Sequence, residues 1–100
     1  MDADDARRLA LSLPDAVEQD HHGRPSFRVR GRIFATLWTP TDMNVMAGED
    51  LILSAVDRAP ECCTRFMWGR RLAAVQVSLP AADPELLEEL LHAAWARRAR

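Results

Sequence analysis

Lysine is absent from this 100-residue chain, so all 13 of its basic residues are arginines. With alanine abundant as well, this reads as the drift of a GC-rich genome, and arginine content alone is no argument for a polyanionic partner. Cysteine is scarce: Cys62 and Cys63 are adjacent and cannot build a disulfide framework, so both are expected to be reduced thiols. Four glycines leave no glycine-rich phosphate loop, no serine stands in G-x-S-x-G, and there is no P-loop. No apolar run approaches the roughly 18 to 20 residues of a spanning helix. The opening Met1-Asp2-Ala3-Asp4-Asp5 is acidic where a signal peptide needs basic residues, so no membrane association and a cytoplasmic location are expected. Length allows one modest core and hence a single domain over 1–100.

What is present is ordered by periodicity. Asp2, Asp4 and Asp5 cap a first helix over Ala3 to Ser12, with Ala6, Leu9, Ala10 and Leu13 on its apolar stripe and Pro14 beyond its end. From Ala16 to Trp38 the period becomes two, broken at Gly23-Arg24-Pro25 and Arg30-Gly31 into short strands. A fourth strand is expected over Met43 to Met46. A second helix opens at Glu49 and Asp50 and closes before Pro60. Phe66-Met67-Trp68, a Gly69 turn and the alternation Ala73, Val75, Val77, Leu79 give a second hairpin. Asp83-Pro84-Glu85 starts a third helix with Leu87, Leu90, Leu91, Ala94 and Trp95 as its buried stripe. The order α-β(3-4)-α-β(2)-α predicts a two-layer α+β fold, an antiparallel sheet with helices on one face.

For the first hairpin, a two-residue loop at Arg30-Gly31 mixes Arg28 with Ile33, Ala35 and Leu37. A three-residue loop over Arg30-Gly31-Arg32 instead collects Phe27, Val29, Ile33, Ala35 and Leu37 on one aliphatic face. The second is preferred, which sends Arg28, Phe34, Thr36 and Trp38 to the opposite face. There Phe34 and Trp38 are either a stacking platform for a ligand, a partner or a second copy, or are covered by neighbouring strands and the 39–44 loop.

Charge alternates along the chain. Residues 1–23 carry net -4, residues 24–39 net +4, residues 40–64 net -4 and residues 65–82 net +3, so both positive blocks are hairpins. That is the distribution a two-winged phosphate binder needs. Against it, the pI of about 5.9 is far below that of typical nucleic-acid domains. Asp20-His21-His22, Cys62-Cys63 and His92 lack metal-ligand spacing, and adjacent histidines on a strand face opposite ways, so no metal or other cofactor is expected. Glu88, Glu89 and His92 on the last helix read as a solvated face. No catalytic constellation emerges, and the chain is not expected to be an enzyme.

Taken together, Leu13-Pro14 with Glu18 shortly beyond Asp15, then Phe27, Val29, Gly31, Phe34-Ala35, Leu37, Asn44-Val45 and the leucine-rich helix ending at Trp95 resemble the MmcQ/YjbR family of small bacterial proteins. The resemblance implies a two-layer α+β fold, sometimes compared with frataxin and secretion chaperones. It also implies DNA binding through a double-wing arrangement, the label its members often carry. On that reading Arg28, Arg30, Arg32, Arg70 and Arg71 meet DNA, and binding is expected to be weak. The alternative is a protein, small-ligand or homodimer face built on Phe34, Trp38 and Trp68. One stretch departs from the family: many members carry His-x-Asn-Lys-x-x-Trp before the last hairpin, where this chain has Phe66-Met67-Trp68-Gly69-Arg70-Arg71.

Overall fold

The computed structural model describes all 100 residues. The first helix, α1 (Ala3–Leu11), starts from a reciprocal capping box in which the Asp2 carboxylate accepts from the Asp5 backbone and the Asp5 carboxylate from that of Asp2. Four strands follow, β1 (Val17–His21), β2 (Arg24–Val29), β3 (Arg32–Thr39) and β4 (Asp42–Val45). Then come α2 (Glu49–Arg58), the hairpin β5 (Cys63–Trp68) and β6 (Arg71–Ser78), a 3-10 turn over Leu79–Ala81, and α3 (Pro84–Arg98). As the capping sequence predicts, the Asp83 carboxylate accepts from the Glu85 backbone and Pro84 opens the helix. The strands form one antiparallel sheet in the order β1-β2-β3-β4-β6-β5. The fold is therefore the expected α+β, with no helix long and apolar enough to cross a membrane.

One face of the sheet is sealed. Phe27, Val29, Leu37, Met43, Val45, Val75 and Val77 pack against Ala6 and Ala10 of α1, Ile52 and Ala55 of α2, and Leu87, Leu90, Leu91 and Ala94 of α3. α3 lies over β2, β3 and β4, and α2 over β5 and β6. Trp95 locks α3 to the chain after α1 by donating from Nε1 to the Pro14 carbonyl at 2.9 Å. Glu18, one of the residues behind the family resemblance, holds Arg7 at 2.8 Å and so ties β1 to α1. Cys62 and Cys63 are both buried and unbridged, and burial pushes the Cys63 thiol up to about 12.

The first hairpin departs from the expected register. Its turn has two residues, Arg30 and Gly31, both at positive φ (53° and 75°), the type I′ geometry whose twist matches the strands it joins. The phase conflict that argued for a longer loop is resolved inside the strand. Phe27 pairs with Ala35 and Arg28 with Ile33, which leaves Phe34 as the extra residue of a β-bulge. Phe34 is consequently fully buried in the core instead of lying on the opposite face, and Ile33 leaves the aliphatic face. A second bulge sits at the corresponding place in the other hairpin. Phe66 pairs with Ala74 but Met67 with Leu72, so Ala73 is extra and Trp68 pairs with Arg71.

Candidate functional site

The sheet face away from the helices holds a cavity of about 680 Å³, within the range of small-molecule sites. Thr36 and Asn44 in its lining belong to a polar row that runs across all six strands. Gln19, Ser26, Thr36, Asn44, Gln76 and Thr64 are successive cross-strand partners. Ser26, Thr36 and Asn44 are the three buried polar residues of the molecule. Ser26 Oγ donates to the Gln19 carbonyl at 2.7 Å. Asn44 is 2% exposed, and its Oδ1 accepts no hydrogen bond from the protein.

Aromatic side chains arch over this row. Trp38 from β3 and Phe66 from β5 meet edge to face with centroids 5.0 Å apart, bridging the two intervening strands. Arg24 covers the other side of Trp38: its guanidinium carbon lies 3.9 Å from the ring centroid and its Nε donates to the Trp38 carbonyl at 2.9 Å. Trp38 is thus held half-buried on the open face by β2 and β5. Trp68 remains 65% exposed at the cavity rim. His21 and His22 close the end near Trp38. Because His22 sits at φ 54° in the β1–β2 turn, the expected opposed orientation of the two rings does not arise; they lie 4.4 Å apart and both line the cavity.

The other end is cationic. The tips of both hairpins project from the same end of the sheet, since the β4 pairings place the start of β6 level with the start of β3. β4 stops at Val45, so beyond it a gap opens between β3 and β6. α3 fills that gap with its last arginines. Arg98 Nε donates to the Ile33 carbonyl at 3.1 Å, and Arg97 Nη1 donates to the Met46 carbonyl at 3.0 Å. Arg98 thereby joins Arg32 and Arg71 in lining the cavity. Burial first, then the like charges of Arg97, Arg32 and Arg71, hold the Arg98 guanidinium below its ordinary range. No carboxylate lines the cavity. The four ion pairs of the molecule use Arg7, Arg8 and Arg58, so none of the cavity arginines is neutralised by a side-chain carboxylate, although Arg32 donates to the main-chain oxygen of Arg100.

The sequence-derived candidates therefore separate. Arg32, Arg71, Trp38 and Trp68 come together in the cavity, whereas Phe34 belongs to the core. Arg30 and Arg70 stand exposed at the two hairpin tips. Arg28 lies off the cavity, donating to Ser26 Oγ at 3.2 Å and meeting His21 Nδ1 at 3.4 Å. Asn44, Phe66 and Arg98 were missed, and Arg24 figured only as one charge of the first positive block. Phe66 was within reach, because it shares the strand parity of Trp68, and Asn44 likewise falls between the buried Met43 and Val45.

A family model described as YjbR matches residues 11–97 of the chain. The fold is also similar to the crystal structure of Deinococcus radiodurans protein DR2400, a DUF419 domain, with a TM-score of 0.74 at 21% identity, over 91% of this chain and 73% of that one. At that identity the similarity speaks for the fold alone. A comparison with curated proteins finds no match.

Proposed function

Because the chain belongs to the YjbR family and its fold is similar to that of the Deinococcus protein, we propose that it is a binding module, not an enzyme, and that it takes a small anion bearing a flat ring on the open face. One observation carries this reading. Arg32, Arg71 and Arg98 converge on a cavity with aromatic walls and no carboxylate, an arrangement whose mutual repulsion a bound anion relieves. The aromatic walls offer stacking worth roughly 1 to 3 kcal/mol per ring.

Anilinonaphthalene sulfonate, a ring system with one anionic group, tests the reading directly. It is expected to bind one per chain with a rise in fluorescence, and Arg71→Ala and Trp68→Ala are each expected to weaken it about tenfold, or about 1.4 kcal/mol. Both residues are exposed, so neither change threatens the fold. Equal binding of the uncharged analogue phenylnaphthylamine, or indifference to both substitutions, overturns the reading.

Duplex DNA is a second reading, favoured by the exposed Arg30 and Arg70 on tips that project from one end of the sheet. Two phosphate contacts give a slope of log K against log salt of about -2. Anisotropy of a labelled short duplex is expected to yield that slope and to lose binding in an Arg30→Ala, Arg70→Ala double variant. Binding that survives the double variant removes this reading.

A further inference from the structure

Resting on the open-face reading above, we infer that the ligand is a nucleotide, with its base edge on Asn44 and its phosphate among Arg32, Arg71 and Arg98. The inference starts from the lining of the cavity. Asn44 is almost wholly buried and lines the cavity, yet its Oδ1 accepts no hydrogen bond within the protein and is the molecule's one buried side-chain polar atom without a partner. A buried polar group left in this state destabilises the fold. Its neighbours in the row do not supply the missing partner. Ser26 spends its hydroxyl on the Gln19 carbonyl, and no bond joins Thr36 or Gln76 to the amide. The carboxamide offers one acceptor and two donors in a plane, the complement of the hydrogen-bonding edge of a nucleobase.

The second element is the spacing. Asn44 is level with Thr36, and Ile33, whose carbonyl anchors Arg98, lies three residues further along β3 with one of them bulged. At about 3.3 Å per strand residue the level of Asn44 and the Ile33 carbonyl that anchors Arg98 are roughly 7 to 10 Å apart along the strand. That is the separation of base edge and phosphate in a mononucleotide. Phe66 lines the same cavity and Trp68 stands at its rim beside Arg71, its cross-strand partner, so both offer ring faces to a base. A simple anion leaves Asn44 unsatisfied, and an uncharged heterocycle leaves the arginines unneutralised. A nucleotide answers both. Free nucleotide and a nucleotide within a single strand share this chemistry, and the experiment separates them.

Displacement of the bound sulfonate dye is the assay. Adenosine monophosphate is expected to compete at sub-millimolar concentration, with adenosine and ribose 5-phosphate each at least tenfold weaker. Asn44→Leu, which removes the unpaired amide and keeps the volume, is expected to lose at least tenfold in affinity for adenosine monophosphate, measured relative to the variant's own dye affinity, and to melt no lower than the native chain. A dinucleotide that competes better than the monomer assigns the ligand to a strand, and one that competes no better assigns it to the free nucleotide; either result supports the inference. Ribose 5-phosphate as effective as the nucleotide, or unchanged nucleotide affinity in Asn44→Leu, overturns it while leaving the dye site intact. Failure of the dye itself to bind overturns the open-face reading as well.

Discussion

Phe34→Ala is expected to cost about 3 to 5 kcal/mol, a large share of the roughly 5 to 15 kcal/mol that stabilises a domain this size. The side chain is fully buried, and it enters the core only because the bulge hands β3 an extra residue at that point. Ile33, its neighbour, lines the solvent-facing cavity and is half-buried. Ile33→Ala is therefore expected to stay near 1 kcal/mol or below. Urea denaturation of the two variants measures the contrast. Were the strand a plain alternation with Ile33 inside and Phe34 outside, the order of the two effects would reverse, and that result rejects the bulge.

Gly48→Ala is expected to be the most damaging of the conservative glycine replacements, at roughly 1 to 3 kcal/mol. Gly48 joins β4 to α2 at φ 91° and ψ 148°, a conformation that L residues essentially do not adopt. An added Cβ would lie 3.1 Å from Arg97 Nε, so the side chain that donates to the Met46 carbonyl has to move as well. With Tm changing by about 4 to 8 °C per kcal/mol in domains of this length, a loss of about 5 to 20 °C is expected in a thermal melt. Gly31→Asn serves as the control, since its position in a type I′ turn tolerates asparagine and no atom lies within 4 Å of an added Cβ. Equal losses in the two variants would remove the special role given to Gly48.

Local signals account for most of what the sequence disclosed. The third helix is legible from Asp83-Pro84-Glu85 and a leucine stripe, because capping and amphipathic periodicity act within a few residues of one another. The second hairpin is legible for the same reason. The first hairpin was misread at its register, although every residue involved was noticed. Choosing between loop lengths by keeping an unbroken alternation neglects that a bulge can change parity within a strand while the favoured two-residue turn is retained. Trp38, Trp68, Arg32 and Arg71 were reached from alternation and charge. Arg98 was not, because its place beside Ile33 depends on where β4 stops and on how far α3 runs past it. On the helix itself it reads as one of several arginines suited to the negative end of the dipole. The carboxamide of Asn44 raises no flag in the sequence either. Its isolation is visible only when the neighbours on β3 and β6 are in place.

β4, the shortest strand at four residues, sits third from one edge and fourth from the other. Its length sets the mechanics of the whole sheet. The hairpin β2–β3 and the hairpin β5–β6 are each long and internally well paired, but they are joined through β4 over only Asp42 to Val45. The sheet is in effect a tuning fork, with two stiff prongs sharing a short stem and two arginine side chains from α3 wedged where the prongs diverge. The two hairpins are thus held in register by four residue pairs on each side of β4 and by the continuous core beneath. The spacing of Arg32 and Arg71 across the divergence therefore depends on this brace from α3 as well as on the pairing of β4.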